Sequence, residues 1–294
     1  MKYAWMQEHR DLFPIALMCQ VMNVSKAGYY DSLERPTSPR AKRCARIRDG
    51  VKLAHAESHG IYGSLKIVET LRQREDLESA CRNTVTRAMR EMGLKSRVSR
   101  KFTPTTTQAD PSKQAAPNTL DRDFSADAPN RKWVTDITYL PTAAGWCYLA
   151  VVLDLFSRKV VGWTLGTSLA TDLVSDALRL AVEARRPEGK QLLLHSDRGC
   201  QYTSDAYQWL LRTLGISCSM SRTGECYDNA VMERFFWSLK HEWTNHESYE
   251  NLEAVRISVF KYIETFYNTK RLHQTLSYKS PDQHEADHAP AIAA

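Results

Sequence analysis

Three acidic residues of the 294-residue chain fall at particular places in the pattern of strands and helices that the sequence predicts. Asp136 lies inside the β-forming run Trp133 to Tyr139, an awkward place for a charge unless it is paired or liganded. Asp197 closes the apolar run Leu192 to Ser196 just before a glycine-containing turn, at the carboxyl end of a strand, where sites gather in such sheets. Glu233 lies one turn into a helical segment and shares a face with Trp237 and Lys240, at i+4 and i+7. If the three converge, they repel one another. At an effective dielectric of ~20, two charges ~4 Å apart differ from isolated ones by roughly 4 kcal/mol. A divalent cation removes that repulsion, and an all-oxygen donor set selects Mg²⁺ or Mn²⁺ over zinc. Two such ions about 3.5–4 Å apart activate an attacking oxygen and stabilise a leaving one at phosphorus. That chemistry is two-metal phosphoryl transfer on a polynucleotide. On spacing alone, three unrelated surface acids remain the alternative.

The elements that must position these acids follow from periodicity. Segments KWVTDITYL, WCYLAVVLDLFS and RKVVGWTLG read as strands with short joins, an antiparallel meander. A helix over about 171–186 follows, with Leu173, Ala177, Leu180 and Ala181 inward. Then come the short strand QLLLHSD, a helix started by Thr203 or Ser204 and stopped by Gly215, the short strand ISCSMS and the loop RTGECYDN. The helix AVMERFFWSLKHEW carries Glu233, and a last helix covers about 250–268. Three hairpin strands followed by alternating helices and strands predict an α/β fold, a mixed five-stranded sheet flanked by helices.

The front of the chain is different. Residues 1–100 hold 19 Lys+Arg against 11 Asp+Glu, whereas the remainder holds 21 against 23. A basic front half joined to a slightly acidic back half suggests a nucleic-acid-binding module. Residues 12–34 read as two short helices, the first apolar at Leu12, Ile15, Ala16, Cys19 and Met22, with Ser25 capping the second; this is the shape of a helix-turn-helix or of a plain helical hairpin. Pro36 and Pro39 break the chain. Three more helices are expected, over RAKRCARIRDGVKLAHAES, GSLKIVETLRQRE (Leu65, Val68 and Leu71 on one face) and CRNTVTRAMREMG, the last stopped by Gly93. On that third helix Val85, Ala88, Met89 and Met92 face inward, while Arg82, Asn83, Thr86, Arg87 and Arg90 face outward. The outer face has the residue types that touch phosphates and base edges, or is a basic solvated surface. The expected domains are 1–40, a helix-turn-helix; 41–98, a second helical DNA-binding unit; 99–129, a polar linker; and 130–294, the catalytic core with a helical extension.

Composition narrows the setting. No run of ~18 apolar residues could span a membrane, and no signal peptide opens the chain, so a cytoplasmic address is expected. Seven cysteines, none in a C-x-x-C pair, fit reduced thiols. His55 and His59 have metal-like spacing but lack the cysteine half of a zinc finger.

The acids also form a pattern. Between Asp136 and Asp197 lie 60 residues, and between Asp197 and Glu233 lie 35. This resembles the Asp, Asp, 35 residues, Glu signature of retroviral-integrase-type transposases with a ribonuclease-H-like core. The words WVTDITYL, VLDLFSRKVVGW, LLHSDRGCQYTS, SMSRTGECYDNAVMERFFWSLKHE and YNTKRLHQTLSYKSP resemble the second-reading-frame transposase of two-frame bacterial insertion sequences, and NVSKAGYY and HGIYGSLKI resemble its helical DNA-binding region. The resemblance covers nearly the whole chain and is weakest near 100–125. It implies an enzyme that binds the terminal inverted repeats of its element, cuts one strand with water, and joins the freed 3′-hydroxyl to another phosphate. It implies Asp136, Asp197 and Glu233 as catalytic residues and ligands of two Mg²⁺ (or Mn²⁺) ions, double-stranded DNA at element ends and target as partner, and a homo-oligomer on DNA. Fusion with or binding to an upstream-frame protein and a bacterial, nucleoid-associated location are also implied.

Around the triad, Lys240 could hold phosphate or be a solvated helix residue, and Arg271 and His273 could contact DNA, cover the metal site, or form a C-terminal packing motif. Asn229 could cap the helix of Glu233, and His195 could support Asp197 from behind. Asp154 reads as a partner of Arg158, and Trp133, Trp163 and Trp237 read as core. The competing functions are a ribonuclease-H-like nuclease without joining activity and an inert DNA-binding repressor.

Overall fold

The structure is a computed structural model that describes residues 2–34, 38–74, 77, 80–97, 116–187, 191–222 and 226–289. The front unit consists of α1 (Lys2–Glu8), α2 (Ile15–Met22) and α3 (Lys26–Glu34). Met6, Met18, Cys19 and Tyr29 bury one another there, and the Tyr29 hydroxyl ties α3 to α1 by donating to Gln7 Oε1 at 2.8 Å. Ser25 does cap α3, its hydroxyl accepting the Gly28 amide at 3.0 Å. The expected start of α2 at Leu12 is corrected: Pro14 holds the N-cap position, and Leu12 is 71% exposed. Pro36 lies outside the described residues, and Pro39 opens the next helix rather than breaking one.

The second helical set comprises α4 (Pro39–Glu57), α5 (Ser64–Arg72) and α6 (Arg82–Glu91). Ser38 caps α4 by accepting the Ala41 amide. Gly93, at φ 68°, follows the end of α6 in the left-handed conformation that glycine tolerates. The inward face of α6 is Val85, Ala88 and Met89, as its periodicity required. On α5 the buried residues are Ile67, Val68 and Leu71, and Leu65 faces out instead.

The core is one five-stranded mixed sheet in the order β3-β2-β1-β4-β5, built from β1 (Lys132–Thr142), β2 (Gly145–Asp154), β3 (Val160–Gly166), β4 (Leu193–Ser196) and β5 (Ser217–Met220). The meander β1-β2-β3 is antiparallel, while β4 runs parallel to β1 and β5 parallel to β4. Helices α7 (Thr171–Arg185) and α8 (Asp205–Leu214) cover one face, over Trp133, Ala150 and Val152. On the other face lie α9 (Ala230–Glu242) and α10 (Leu252–Phe260), which continues as a π-turn segment, Lys261–Tyr267. Helix α11 (Pro281–His288) closes the chain. On α7, Leu180 is exposed and Val174 and Leu178 take the inward places.

Two boundaries differ from expectation. Residues 116–129, read as linker, lie on the core: Leu120 is buried, and the Thr119 and Leu120 amides donate to Ser219 Oγ at 3.0 and 3.1 Å. The rest of that segment, 99–115, lies outside the described residues. The helical unit α4–α6 packs on the core: Ile47, Val51, Ile67, Leu71 and Val85 belong to the same apolar cluster as Val151, Phe235, Tyr262 and Phe266.

Close packing of α7 on the sheet rests on Gly162. A Cβ there would lie 2.4 Å from the Ala177 carbonyl oxygen and 2.7 Å from Ala181. Gly162→Ala is therefore expected to destabilise the chain by about 1–3 kcal/mol, read as a lower urea midpoint. An unchanged midpoint would show that α7 is not seated this tightly.

Candidate active site

Sheet register brings two of the acids together. Val134 of β1 pairs with His195 of β4 in the parallel ladder. Two residues further on, side chains return to the same face, which sets Asp136 beside Asp197 just past the end of β4. The Asp136 Oδ1 accepts the Ile137 amide at 2.8 Å. The Asp197 Oδ1 accepts the Gly199 amide at 2.9 Å, folding the turn back on the strand end. Glu233 occupies the first turn of α9, which packs across β1, and is exposed.

The electrostatics report this proximity. Burial, then the charge of Asp197, and more weakly that of Glu233, push the Asp136 carboxyl well above the ordinary carboxylate range, against the pull of the Ile137 amide and Lys240. Partial burial raises Glu233. Asp136 is thus within electrostatic reach of both other acids. Among the described residues no three His, Cys, Asp or Glu side chains form a ready-made metal-holding group; Asp136 and Asp197 are the closely coupled pair, and Glu233 flanks them from α9. Lys240, two turns along α9 from Glu233, holds its Nζ 4.5 Å from the Tyr139 ring centroid. Burial lowers its pKa, and the Asp136 charge opposes that. Tyr202, fully buried, hydrogen-bonds Thr135 at 3.4 Å, and burial followed by the Asp136 charge keeps its phenol neutral.

A buried polar layer supports the site. His195 Nδ1 lies 2.9 Å from Ser219 Oγ and Nε2 3.1 Å from Ser221 Oγ, so it braces β4 against β5 and the chain beyond it. Burial lowers its pKa to about 4, which keeps the ring neutral at physiological pH. Neither ring nitrogen bonds Asp197. Asp228, just before α9, was not singled out in the sequence. It is 1% exposed and accepts from the Arg222 amide, Arg122 Nε and Asn118 Nδ2 at 3.0, 2.9 and 2.8 Å. Burial pushes its carboxyl upward, but the Arg222 amide and the Arg122 guanidinium outweigh it and leave the pKa low. Asn229 holds the N-cap position of α9, yet its side chain makes no capping bond, and both polar atoms are buried without a partner among the described residues.

The C-terminal candidates resolve differently. Arg271 is buried in a two-pronged pair with Glu242, Nη2–Oε1 2.6 Å and Nε–Oε2 2.7 Å, and its Nη2 also donates to Ser238 Oγ at 3.1 Å. Held in this way, it packs the C-terminal segment onto α9. His273 stands T-shaped to Tyr267, and burial and then Arg271 drive its pKa well below the usual value. On α6, Arg82, Asn83, Arg87 and Arg90 are exposed and Thr86 is half-buried. Asp154 is paired with Arg185 (3.7 Å) and accepts the Asn130 and Phe156 amides at 2.8 and 2.9 Å, so the expected pairing with Arg158 is corrected. Trp133 is fully buried, Trp163 donates to Glu264, and Trp237 stacks on His241.

A mixed sheet of this order with acids on its central strand, at the neighbouring strand end and on a covering helix defines an integrase-type core of the ribonuclease-H-like class. Family models agree: two for the integrase core domain match residues 126–226 and 214–281, and one for an HTH-like domain matches 43–102. The chain is 39% identical over 287 residues to the transposase InsF of insertion sequence IS3A from Escherichia coli (strain K12), covering 97% of this chain and 98% of that one. It is 36% identical over 264 residues to the 31 kDa protein of insertion element IS600 from Shigella sonnei, covering 90% and 96%. Among solved structures it is similar to a simian T-cell lymphotropic virus intasome in complex with PP2A regulatory subunit B56 gamma (17% identity, TM-score 0.48, 83% of this chain and 76% of that one). The HTLV-2 integrase catalytic core in complex with magnesium is a second such structure (19%, 0.43, 54% and 99%). The chain belongs to the IS3 family of insertion-sequence transposases, and with its integrase-type core it is a polynucleotidyl transferase. Among the described residues, no helix is long and apolar enough to cross a membrane.

Two outcomes follow from these charges. A carboxyl whose pKa is raised on folding costs stability as pH climbs above its ordinary 3.8. Asp136→Asn should therefore melt at a higher temperature than the wild type at neutral pH in a chelator. Added Mg²⁺ should raise the melting temperature of the wild type more than that of the variant. Equal melting curves would mean that Asp136 carries no unfavourable charge. Glu242→Gln, which leaves Arg271 charged and buried, should cost about 3–5 kcal/mol in chemical denaturation.

Proposed function

We propose that Asp136, Asp197 and Glu233 are the catalytic carboxylates of DNA strand cleavage and strand transfer at the ends of an insertion sequence. The observation that supports this reading is the strand register that sets half-buried Asp136 beside Asp197, with Glu233 on the helix packed across β1. The Asp136 carboxyl is raised accordingly, by desolvation first, then by Asp197 and more weakly by Glu233. Such a site is unfavourable by itself and favourable around a hard cation. The donor set fits Mg²⁺ or Mn²⁺, since it is all oxygen and negatively charged, and Asp136 and Asp197 would be shared ligands with Glu233 completing the set. Two divalent cations, when bound, supply an activated nucleophile at neutral pH and charge stabilisation at the leaving oxygen.

The chain's own residues do the rest. The Ile137 and Gly199 amides hold the two aspartates in orientation. Lys240, kept against Tyr139, offers a cation to a substrate phosphate beside Asp136. Asp228 fixes the chain entering α9 and so the place of Glu233. One site then serves two in-line displacements, with water and then the freed 3′-hydroxyl as nucleophile. The basic outer face of α6, with Arg82, Asn83, Thr86, Arg87 and Arg90, contacts the terminal inverted repeats. The working form is a homo-oligomer on DNA in the bacterial cytoplasm, alone or joined to an upstream-frame protein.

The test uses labelled terminal-repeat duplex and Mg²⁺. Asp136→Asn, Asp197→Asn and Glu233→Gln should each reduce joined product to background while duplex binding persists. Cleavage without joining by the wild type would favour a simple nuclease. Joining that survives any of the three substitutions would remove that residue from the catalytic set.

A further inference from the structure

A cavity of about 330 Å³ lies where the helical unit meets the core. Gly63, Ser64 and Lys66 line it from the start of α5, Arg82 from the start of α6, and Arg234 and Arg271 from the core. Arg271 is neutralised by Glu242 in the cavity wall. That leaves Lys66, Arg82 and Arg234, none of which pairs with a carboxylate among the described residues. Arg234 is held flat over the Trp237 ring at 4.3 Å, and Lys66 sits over Tyr62 at 5.0 Å. Helix α5, nine residues long, starts at this cavity with Gly63 as N-cap and no side-chain cap. Its first-turn amides therefore have no acceptor within the helix.

Three unpaired cations and a bare helix start around one half-enclosed space repel each other and favour an anion. Burial and then the Arg271 charge lower the Lys66 pKa to about 7, so the empty cavity already sheds part of its charge. The anion's source is indicated by Arg82, the first residue of the helix whose exposed face also carries Asn83, Arg87 and Arg90. Arg82 thus belongs both to the cavity lining and to that basic face.

We propose that this cavity grips one backbone phosphate of duplex DNA between Lys66, Arg82 and Arg234, tying the DNA-contacting helix to α9. The proposal rests on the reading of α6 as a DNA-contacting helix and not on the acidic triad. Arg234 follows Glu233 directly in the sequence, so a phosphate held there sets the distance between the bound duplex and the catalytic helix.

The experiment measures binding of the full chain to a fluorescein-labelled duplex of random sequence over a range of salt. Each phosphate neutralised contributes about −0.9 to the slope of log K against log salt. The double variant Lys66→Gln/Arg234→Gln should bind more weakly, with the slope shallower by about 0.9, one phosphate and not two. Lys66→Arg should keep wild-type affinity, and Arg256→Gln, which is paired with Glu253 on α10 and does not line the cavity, should change nothing; circular dichroism establishes that each variant is folded.

A second readout is pH. An anion favours protonated Lys66, so wild-type affinity should rise as pH falls from about 8 to about 6, whereas Lys66→Arg should respond less. The charged and titratable groups facing Lys66 are Arg271, Arg234, Glu242, Tyr62 and His273, and the Lys66→Arg comparison holds them constant. Unchanged affinity and slope in the folded double variant overturn the proposal, while the catalytic reading is judged separately by Asp136→Asn. Binding of inorganic phosphate at the cavity with duplex binding intact would mark a small-anion site and also overturn it.

Discussion

Asp136 lies on the central strand β1, opposite Val151 of antiparallel β2 and two residues past the last pairing of β1 with parallel β4. A charge there loses its water without gaining a full counter-charge, and the Asp197 carboxylate beside it makes ionisation harder still. Much of the surrounding architecture answers this one electrostatic problem. The Ile137 amide gives the carboxylate a donor, Lys240 reaches in from α9, and Tyr202 is held as a neutral phenol beneath. These partners lessen the repulsion without cancelling it, and the remaining mismatch is what a divalent cation would resolve on the proposed reading. Here stability is given up at the place where ligand binding recovers it.

Where each acid falls was legible in the sequence: Asp136 within a strand, Asp197 at a strand end and Glu233 in the first turn of a helix. Period-two runs defined the strands, and a carboxylate ending a short apolar run stood out against its neighbours. The fold around them was legible for the same reason. Contacts between distant polar groups were not. Asp228 looks like one loop acid among several, and only folding brings Arg122 and Asn118, more than a hundred residues earlier, onto it. Arg271 looks like a basic surface residue in a basic run, and its burial against Glu242 depends on how a C-terminal segment crosses α9. Polar composition hid the packing at 116–129: the stretch reads as linker, yet Leu120, Phe124 and Ala126 pack on the core and its amides and side chains bond Ser219 and Asp228. At Asn229 the residue type fits a cap, but the chain arrives with a backbone that turns the amide away from the first-turn donors.

The junction between the helical unit and the core is built in the same mixed manner. Apolar residues of α4, α5 and α6 continue the cluster under α9 and α10. Apolar contact alone tolerates sliding. The Tyr62 hydroxyl does not, because it donates to the Lys270 carbonyl at 3.0 Å and accepts the Leu272 amide at 2.8 Å. The neighbouring Arg271–Glu242 pair adds a second fixed point. A buried pair of this kind adds little net stability over an apolar replacement, but only one alignment satisfies its donors. Register between the DNA-contacting unit and the catalytic unit is thus set by directional bonds, with burial supplying the adhesion.

Helix α9 is where these two demands meet. Consecutive helical residues point about 100° apart, so Glu233 and Arg234 can serve different sides of one helix. Glu233 turns toward the acids of the sheet, and Arg234 turns toward the cationic cavity at the junction. Negative charge on one side calls for metal, and positive charge on the other calls for phosphate. On the proposed reading, an element that presents both would fix the separation between the gripped and the reacting phosphate. The Asp228 anchor just before the helix then acquires a clear purpose: any shift at the start of α9 would move Glu233 and Arg234 together.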